Sequence, residues 1–220
     1  DYLDGNSLRA EAYHQTFTFS EKLRIVRNLI DALKEAHKEN IFHRDINPDN
    51  VFLSGGYARL GNFGKSYFSD HQAKGYTVMA TLTESNTTAY HPLELTVGEA
   101  SRRSDIYSLG VLVYWLFTGE EPVKTPYALN KMGGRLSADR LPTAINPALP
   151  KWLDELCGHT ILTDDEARWG TLDEFEAFIE AAMEEGSSSA AAAPTAEQGV
   201  IDSYDLEEGD RIGNDYIIHE

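Results

Sequence analysis

The stretch SDIYSLGVLVYWLFTG, residues 104–119, is the feature that most limits what this chain can fold into. Wound into a helix, it is apolar on nearly every side, which is typical of a helix enclosed by other elements rather than one at the surface. Gly119 supplies a stop signal at its end. The chain has 220 residues and is long enough to build a core around such a helix. The sequence therefore predicts a buried helix here.

A second helix, of a different kind, is predicted from TFSEKLRIVRNLIDALKEAHKEN. Thr18 and Glu21 have the spacing of a capping box, in which each residue satisfies a backbone donor of the other. The apolar face of this helix is formed by Leu23, Val26, Ile30, Leu33 and His37. Its periodicity indicates an amphipathic helix with one side in the core.

A short hairpin and a long loop are predicted next. Residues 51–53 and 57–60 are β-prone and are separated by a Ser-Gly-Gly turn. Residues 62–94 follow neither period and are predicted as one long loop, a length that is more often functional than idle. The last third is helical in pieces, at residues 151–157 and 171–183. The fold class is therefore α+β and mostly α, with one small β-hairpin.

Composition and charge exclude several classes of function. The net charge of −17 argues against a nucleic-acid partner, because phosphate contacts need clustered Lys and Arg. The longest apolar run, residues 111–117, is far short of the roughly 20 residues that cross a bilayer, and the N-terminus has no signal-peptide pattern. We expect a soluble, cytoplasmic domain with no membrane partner. The lone Cys157 is predicted to be a small core residue.

The composition changes at GSSSAAAAPTAEQG, residues 186–199. Small residues and one proline cannot bury a core, so residues 186–200 are predicted as a flexible linker and the folded unit, residues 1–185, should end near Glu185. Beyond it, a turn-prone Gly213-Asn214 and a β-prone segment at residues 216–218 follow. Residues 201–220 are expected to begin a further domain.

A series of short motifs runs along residues 43–168. It consists of HRD at 43–45, Asn50, NFG at 62–64, TTAYHPLE at 87–94, DIYSLG at 105–110, TGEEP at 118–122 and Arg168. Each motif alone is weak, but together their order and spacing resemble the C-terminal lobe of the eukaryotic-type protein kinases over about residues 1–185. The resemblance implies a helical kinase lobe, ATP and Mg²⁺ as cofactors, and phosphoryl transfer to protein hydroxyls.

The resemblance also implies roles for individual residues. Asp45 matches the catalytic base, and Asn50 matches a ligand of the second magnesium. Thr87 matches the threonine that hydrogen-bonds this base, and Arg44 matches the arginine that docks a phosphorylated loop. The candidate phosphorylation sites in that loop are Thr81, Thr83 and Ser85.

Other matched residues have structural roles. His43 and Phe63 are expected to pack in the core that links the two kinase lobes. Asp105 should accept hydrogen bonds from the catalytic-loop backbone, since a buried carboxylate is kept only when it is well satisfied. Glu94 and Arg168 should form an ion pair.

The opening DYLDGNSL resembles a kinase hinge. The backbone of Asp1 and Leu3 would then face an adenine, with Phe52 beneath it; the alternative is an exposed loop start and a core phenylalanine. The resemblance also implies that the small lobe is missing from this chain, so that these residues alone should not turn over ATP. The sequence DLEEGDRIGNDYIIHE, residues 205–220, resembles the lead-in to another kinase small lobe.

Two departures from the family fall at the chemistry. Asn62 replaces the aspartate that is the main carboxylate ligand of the metals, and an amide oxygen is a poorer partner for Mg²⁺. Asn47 replaces the lysine that steadies the transferring phosphate. Each such group is typically worth on the order of 3 kcal/mol, so losing both corresponds to roughly 10⁴-fold in rate. Asn50 and Asn62 are the candidate metal positions.

Two functional hypotheses follow. The first is a pseudokinase, a regulatory module of a larger tandem kinase protein; the second is an active Ser/Thr protein kinase with an atypical metal site. The partner is a protein substrate or a regulated kinase domain, and residues 119–150 are a surface connection where partners could dock. No separate metal site is predicted at the scattered histidines His37, His91 and His159.

Overall fold

The computed structural model describes residues 5–65, 67–68 and 87–191. The chain divides into two compact units, Asp1–Met183 and Glu184–Glu220. The described elements lie in the first unit, apart from the end of the last helix. Its helices are α1 (Leu8–His14), α2 (Phe19–Lys38), α3 (Arg102–Thr118), α4 (Pro126–Lys131), α5 (Pro142–Ile145), α6 (Trp152–Thr160) and α7 (Leu172–Ala191).

The strands are short. They are β1 (Asn6–Ser7), β2 (Ile41–Phe42), β3 (Val51–Ser54), β4 (Tyr57–Leu60) and β5 (Tyr67–Phe68). The structure is mostly helical with a small sheet, which confirms the predicted fold class. Turns of 3₁₀ helix lie at Phe63–Lys65, Leu93–Val97 and Ala138–Arg140.

Helix α3 is buried on nearly every side, as its sequence predicts. Its side chains from Ser104 to Tyr114 are all buried, and the helix packs against α2, α5 and α6. The hydroxyl of Ser108 donates a hydrogen bond to the backbone oxygen of Tyr90 at 2.7 Å. The helix ends at Gly119, whose φ of 80° is the left-handed conformation of a helix stop.

Helix α2 begins at the predicted capping box. The Thr18 amide donates to Glu21 Oε2 at 2.8 Å, and the Glu21 amide donates to Thr18 Oγ1 at 3.3 Å. The apolar face is buried along with His37 near the C-terminal end. Helix α2 packs against β4, where Asn28 Oδ1 accepts a hydrogen bond from the backbone of Ala58 at 3.0 Å.

The predicted hairpin is present as β3 and β4. These strands are antiparallel, and Gly55 and Gly56 have φ of 59° and 82° in the turn between them. β1 adds to the other edge of β3, while β2 pairs with β5. β1, β2 and β5 have two residues each, too few to produce an alternating pattern, and β5 lies inside the segment predicted as one loop.

The ends of the last helices differ from the prediction. Helix α6 continues to Thr160 and α7 to Ala191, so residues 186–191, predicted as linker, are helical. Alanine has the highest helix propensity, which favours extension of a helix that is already formed. The remaining linker residues and the predicted further domain lie outside the described residues. The surface connection at residues 119–150 contains α4, α5 and a 3₁₀ turn.

Cys157 is buried in α6, in agreement with the prediction of a core residue. Burial raises the pKa of its thiol well above the ordinary value, so the group stays protonated and unreactive. Within the part of the chain that the structure describes, no helix is long and apolar enough to cross a membrane.

The close approach of α3 and α6 leads to a prediction at Gly110. A Cβ at this position would lie 2.2 Å from Thr160 Oγ1 and 2.6 Å from Thr160 Cβ. We expect Gly110→Ala to lower the free energy of unfolding by about 1–3 kcal/mol, because the two closely packed helices must separate. Denaturant unfolding followed by circular dichroism measures this change.

Gly158→Ala is the matched control. Gly158 is in α6, it is exposed, and a Cβ added there would meet nothing within 4 Å. Alanine should here leave stability unchanged or raise it by up to about 1 kcal/mol. Equal effects of the two substitutions would contradict the packing of α3 against α6.

Candidate active site

The site is built around the loop at residues 43–50, between β2 and β3, and this loop is anchored by Asp105 on α3. Asp105 Oδ2 accepts from the backbone N–H of His43 at 2.9 Å, and Asp105 Oδ1 accepts from that of Arg44, also at 2.9 Å. His37 Nε2 donates to Oδ2 at 2.9 Å. The predicted bonds to the loop backbone are therefore present. They hold Arg44 at a φ of 68°, a costly conformation for a residue with a side chain.

His43 fixes the base of the loop. Its Nε2 donates to the Gly61 backbone oxygen at 2.8 Å, and its Nδ1 accepts from the Asp45 N–H at 3.3 Å. Its ring meets the edge of Phe63 with centroids 4.6 Å apart. Phe63 is 42% exposed, so in this chain it lies at the edge of the core rather than within it.

Asp45, the predicted catalytic base, is buried and lies against neutral amides. Asn47 Nδ2 is 3.2 Å from Asp45 Oδ1, and Asn50 Nδ2 is 3.0 Å from Asp45 Oδ2. His91 Nε2 is 3.3 Å from Asp45 Oδ1. Asn47 therefore contacts Asp45 with an amide, at the position where the kinase resemblance implies a lysine.

The two candidate metal positions contact one another. Asn62 Nδ2 donates to Asn50 Oδ1 at 3.1 Å. The φ of Asn62 is 62°, a left-handed conformation that asparagine tolerates better than most residues, and the residue is exposed. The structure therefore brings together Asp45, Asn47, Asn50 and Asn62 in one hydrogen-bonded chain.

This donor set fits Mg²⁺ poorly. Mg²⁺ prefers carboxylate oxygens, whereas Asn62 presents an amide group at the position where the kinase resemblance implies an aspartate. The side-chain oxygen of Asn50, the other candidate ligand, already accepts a hydrogen bond from Asn62. Among residues 5–65, 67–68 and 87–191, no cluster of three His, Cys, Asp or Glu side chains could hold a metal ion.

The predicted adenine site is only partly described. Phe52 lies in β3, half-buried, opposite Ser7 on β1 and Arg59 on β4. Asp1 and Leu3 lie outside the described residues, so the hinge remains a prediction. The same holds for Thr81, Thr83 and Ser85.

The segment at residues 87–94 is well anchored. Thr87 is buried, and Ala89, Tyr90 and His91 are buried beside it. Three residues beyond His91, Glu94 forms the predicted ion pair with Arg168, whose Nη2 is 3.1 Å from Glu94 Oε2.

Two contacts of the site have no counterpart among the sequence-based expectations. His91 is an isolated histidine in the sequence, yet it contacts Asp45, which is 46 residues away along the chain. Arg9 of α1 braces the same loop: its Nε donates to Asp49 Oδ2 at 2.8 Å, its backbone N–H donates to Pro48 O at 3.1 Å, and its guanidinium lies 5.3 Å from the ring centroid of Trp115. Neither contact has a local sequence signal, since each depends on chain segments that only the fold brings together.

A loop carrying an Asp and an Asn five residues apart, tied to a buried helix by a second Asp, is the arrangement that the kinase resemblance implies. The protein kinase domain family matches residues 1–179, and the chain belongs to this family.

Its curated relatives include bacterial Ser/Thr kinases. The chain is 32% identical over 176 residues to the probable serine/threonine-protein kinase PknB of Bifidobacterium longum, covering 77% of this chain and 25% of that protein. It is 32% identical over 165 residues to the serine/threonine-protein kinase PknL of Mycobacterium tuberculosis, covering 73% and 40% respectively. For the serine/threonine-protein kinase PrkC of Bacillus subtilis the identity is 30% over 169 residues, covering 74% and 25%. The matched part is thus less than half the length of each of these relatives.

The Glu94–Arg168 pair leads to a second prediction. The Arg168 side chain is 0% exposed and that of Glu94 is 10% exposed. Arg168→Met would leave a buried carboxylate without its cation, so we expect the free energy of unfolding to fall by about 3–5 kcal/mol. Combining it with Glu94→Gln should recover part of that loss in a double-mutant cycle.

The exposed pair of Lys38 and Glu35 provides the control, with side chains 65% and 73% exposed. Lys38→Met should leave stability within about 0.5 kcal/mol of the parent. If Arg168→Met had no larger effect than this surface change, the buried ion pair would not contribute to the fold.

Proposed function

We propose that this domain is a pseudokinase, a regulatory or scaffolding module of a larger kinase protein whose partner is another protein, such as a kinase domain that it regulates. The observation that carries the proposal is the hydrogen bond from Asn62 Nδ2 to Asn50 Oδ1. Through this bond, the side chains at the two candidate metal positions bind each other instead of a cation.

An aspartate at position 62 could not make this bond. Its carboxylate and Asn50 Oδ1 would be two acceptors facing one another, a repulsive arrangement unless a cation lies between them. Asparagine supplies the missing donor, so the site closes by itself. The exchange therefore does more than weaken a metal ligand, because it also stabilises a metal-free arrangement.

The surroundings of Asp45 support the same proposal. Its amide donors, Asn47 and Asn50, are neutral, and at position 47 a Ser/Thr kinase has the positive charge of a lysine. Phosphoryl transfer depends mainly on charge held around the transferred group. A loop with the right shape and without this charge is suited to keeping a conformation rather than to catalysing transfer.

The second candidate is an active, ATP-dependent Ser/Thr protein kinase with an atypical metal site. Asp45 and Asn50 are the residues that the kinase resemblance implies at these positions, and Asn50 Nδ2 lies 3.0 Å from Asp45 Oδ2. The relatives are named as Ser/Thr kinases. Under this alternative Asp45 would take the proton of a protein hydroxyl.

Thermal unfolding of the full-length protein with ATP alone, with ATP plus Mg²⁺ and with ATP plus Mn²⁺ separates the two candidates. A pseudokinase should show no additional stabilisation by metal. A clear metal-dependent rise, together with substrate phosphorylation that Asp45→Ala abolishes, would overturn the proposal. Phosphorylation that survives Asp45→Ala would place the activity in another domain.

Asn62→Asp gives a third prediction. Without metal, the variant should unfold at a lower temperature than the parent, because it loses the bond to Asn50 and gains an opposed acceptor. Mg²⁺ should reverse the loss, while it should leave the parent unchanged.

Asn62→Ala is the matched control, because it removes the same donor without adding a carboxylate. It should also be destabilised, because it loses the bond to Asn50 and because alanine tolerates the left-handed backbone at position 62 less well than asparagine, but it should gain no response to Mg²⁺. A response of the parent as large as that of Asn62→Asp would contradict a self-satisfied site.

A further inference from the structure

His91 lies within the TTAYHPLE motif at residues 87–94, but the family resemblance assigns no role to its side chain. It is buried, like its neighbours Ala89 and Tyr90, and its Nε2 is 3.3 Å from Asp45 Oδ1. The two side chains are each 7% exposed. Solvent therefore satisfies little of either group, and the contact between them takes place largely away from water.

The hydrogen bonds of the ring fix which nitrogen carries the proton. The backbone N–H of Thr88 donates to His91 Nδ1 at 3.1 Å, so Nδ1 has no hydrogen of its own. The remaining nitrogen, Nε2, must then carry the hydrogen in the neutral ring. The bond to Asp45 therefore runs from imidazole to carboxylate.

We propose that His91 is a positioning residue for Asp45: it donates its Nε2 hydrogen to the carboxylate and thereby ties the segment 87–91 to the loop at residues 43–50. The bond acts together with the amides of Asn47 and Asn50 and supplies a donor from outside the loop. This inference goes beyond the proposed function, since it holds whether or not Asp45 ever receives a proton.

The segment at residues 87–91 is itself anchored to the rest of the fold, so the bond from His91 can hold Asp45 in position. Tyr90 is buried, and its backbone oxygen accepts from Ser108 on the buried helix α3 at 2.7 Å. Three residues beyond His91, Glu94 is clamped by Arg168. The backbone that carries His91 is thus held in place. A partner protein that moved this segment would also break the hydrogen bond from His91 to the Asp45 carboxylate.

Histidine-ring NMR of the full-length protein, labelled with ¹⁵N at histidine, tests the proposal without any need for activity. The signals of His91 are assigned by their loss in His91→Gln. They should show Nε2 protonated and Nδ1 unprotonated, and they should shift in Asp45→Asn, which removes the accepting charge.

Asp49→Asn is the matched control, since it makes the same chemical change in the same loop at a carboxylate that contacts Arg9. The His91 signals should stay in place in this variant. The proposal would be overturned by a His91 ring protonated at Nδ1, or by His91 signals that do not shift in Asp45→Asn. Neither result depends on ATP, so failure here differs from failure of the proposed function.

A pair of substitutions at position 91 separates the donor from mere packing. His91→Leu fills similar space without a donor and should lower the thermal midpoint of unfolding by about 2–4 °C. His91→Gln places an amide N–H near the position of Nε2 and should recover most of that loss. Equal midpoints for Gln and Leu would show that the ring is only a packing element.

Discussion

The carboxylate of Asp105 is the interaction on which the rest of the site depends. It is completely buried, at 0% exposure, and it accepts from two consecutive backbone amides and from His37. These bonds join α3, α2 and the loop after β2 in one place. A buried charge is tolerated only when its hydrogen bonds are complete, so the loop has little freedom to adopt another path. The left-handed conformation of Arg44 is maintained because these bonds offset its strain.

Much of this architecture could be predicted because its signals are local or repeated. The all-round apolarity of α3, the capping box of α2 and the Ser-Gly-Gly turn each lie within one short stretch of sequence. The roles of Asp105, Glu94 and Arg168 follow from the order of the motifs and their resemblance to a family. The structure contains the hydrogen bonds and the ion pair that this resemblance implies.

The rest could not be predicted, because it depends on distant residues or on weak local preferences. The two-residue strands exist only where a partner strand meets them, and the helical continuation at residues 186–191 follows from α7 being formed before them. The contact of His91 with Asp45 joins residues that are 46 positions apart in the chain. The sequence around a single histidine does not indicate which distant residue its side chain will contact.

The exchange of charged for neutral groups changes what this site needs in order to be stable. In a kinase that holds metals, carboxylates gather around cations, and without the cations their mutual repulsion works against the fold. Here amides replace charged groups at positions 47 and 62, and each amide has a donor to offer a neighbouring oxygen. The Asp45 carboxylate is surrounded by N–H groups from Asn47, Asn50 and His91. Such a loop can be ordered by the protein alone, because these side chains form hydrogen bonds with one another in the absence of a ligand. Under the proposed function, the same exchanges that remove charge from the chemistry strengthen the resting structure, and a regulatory domain that binds another protein depends on that structure.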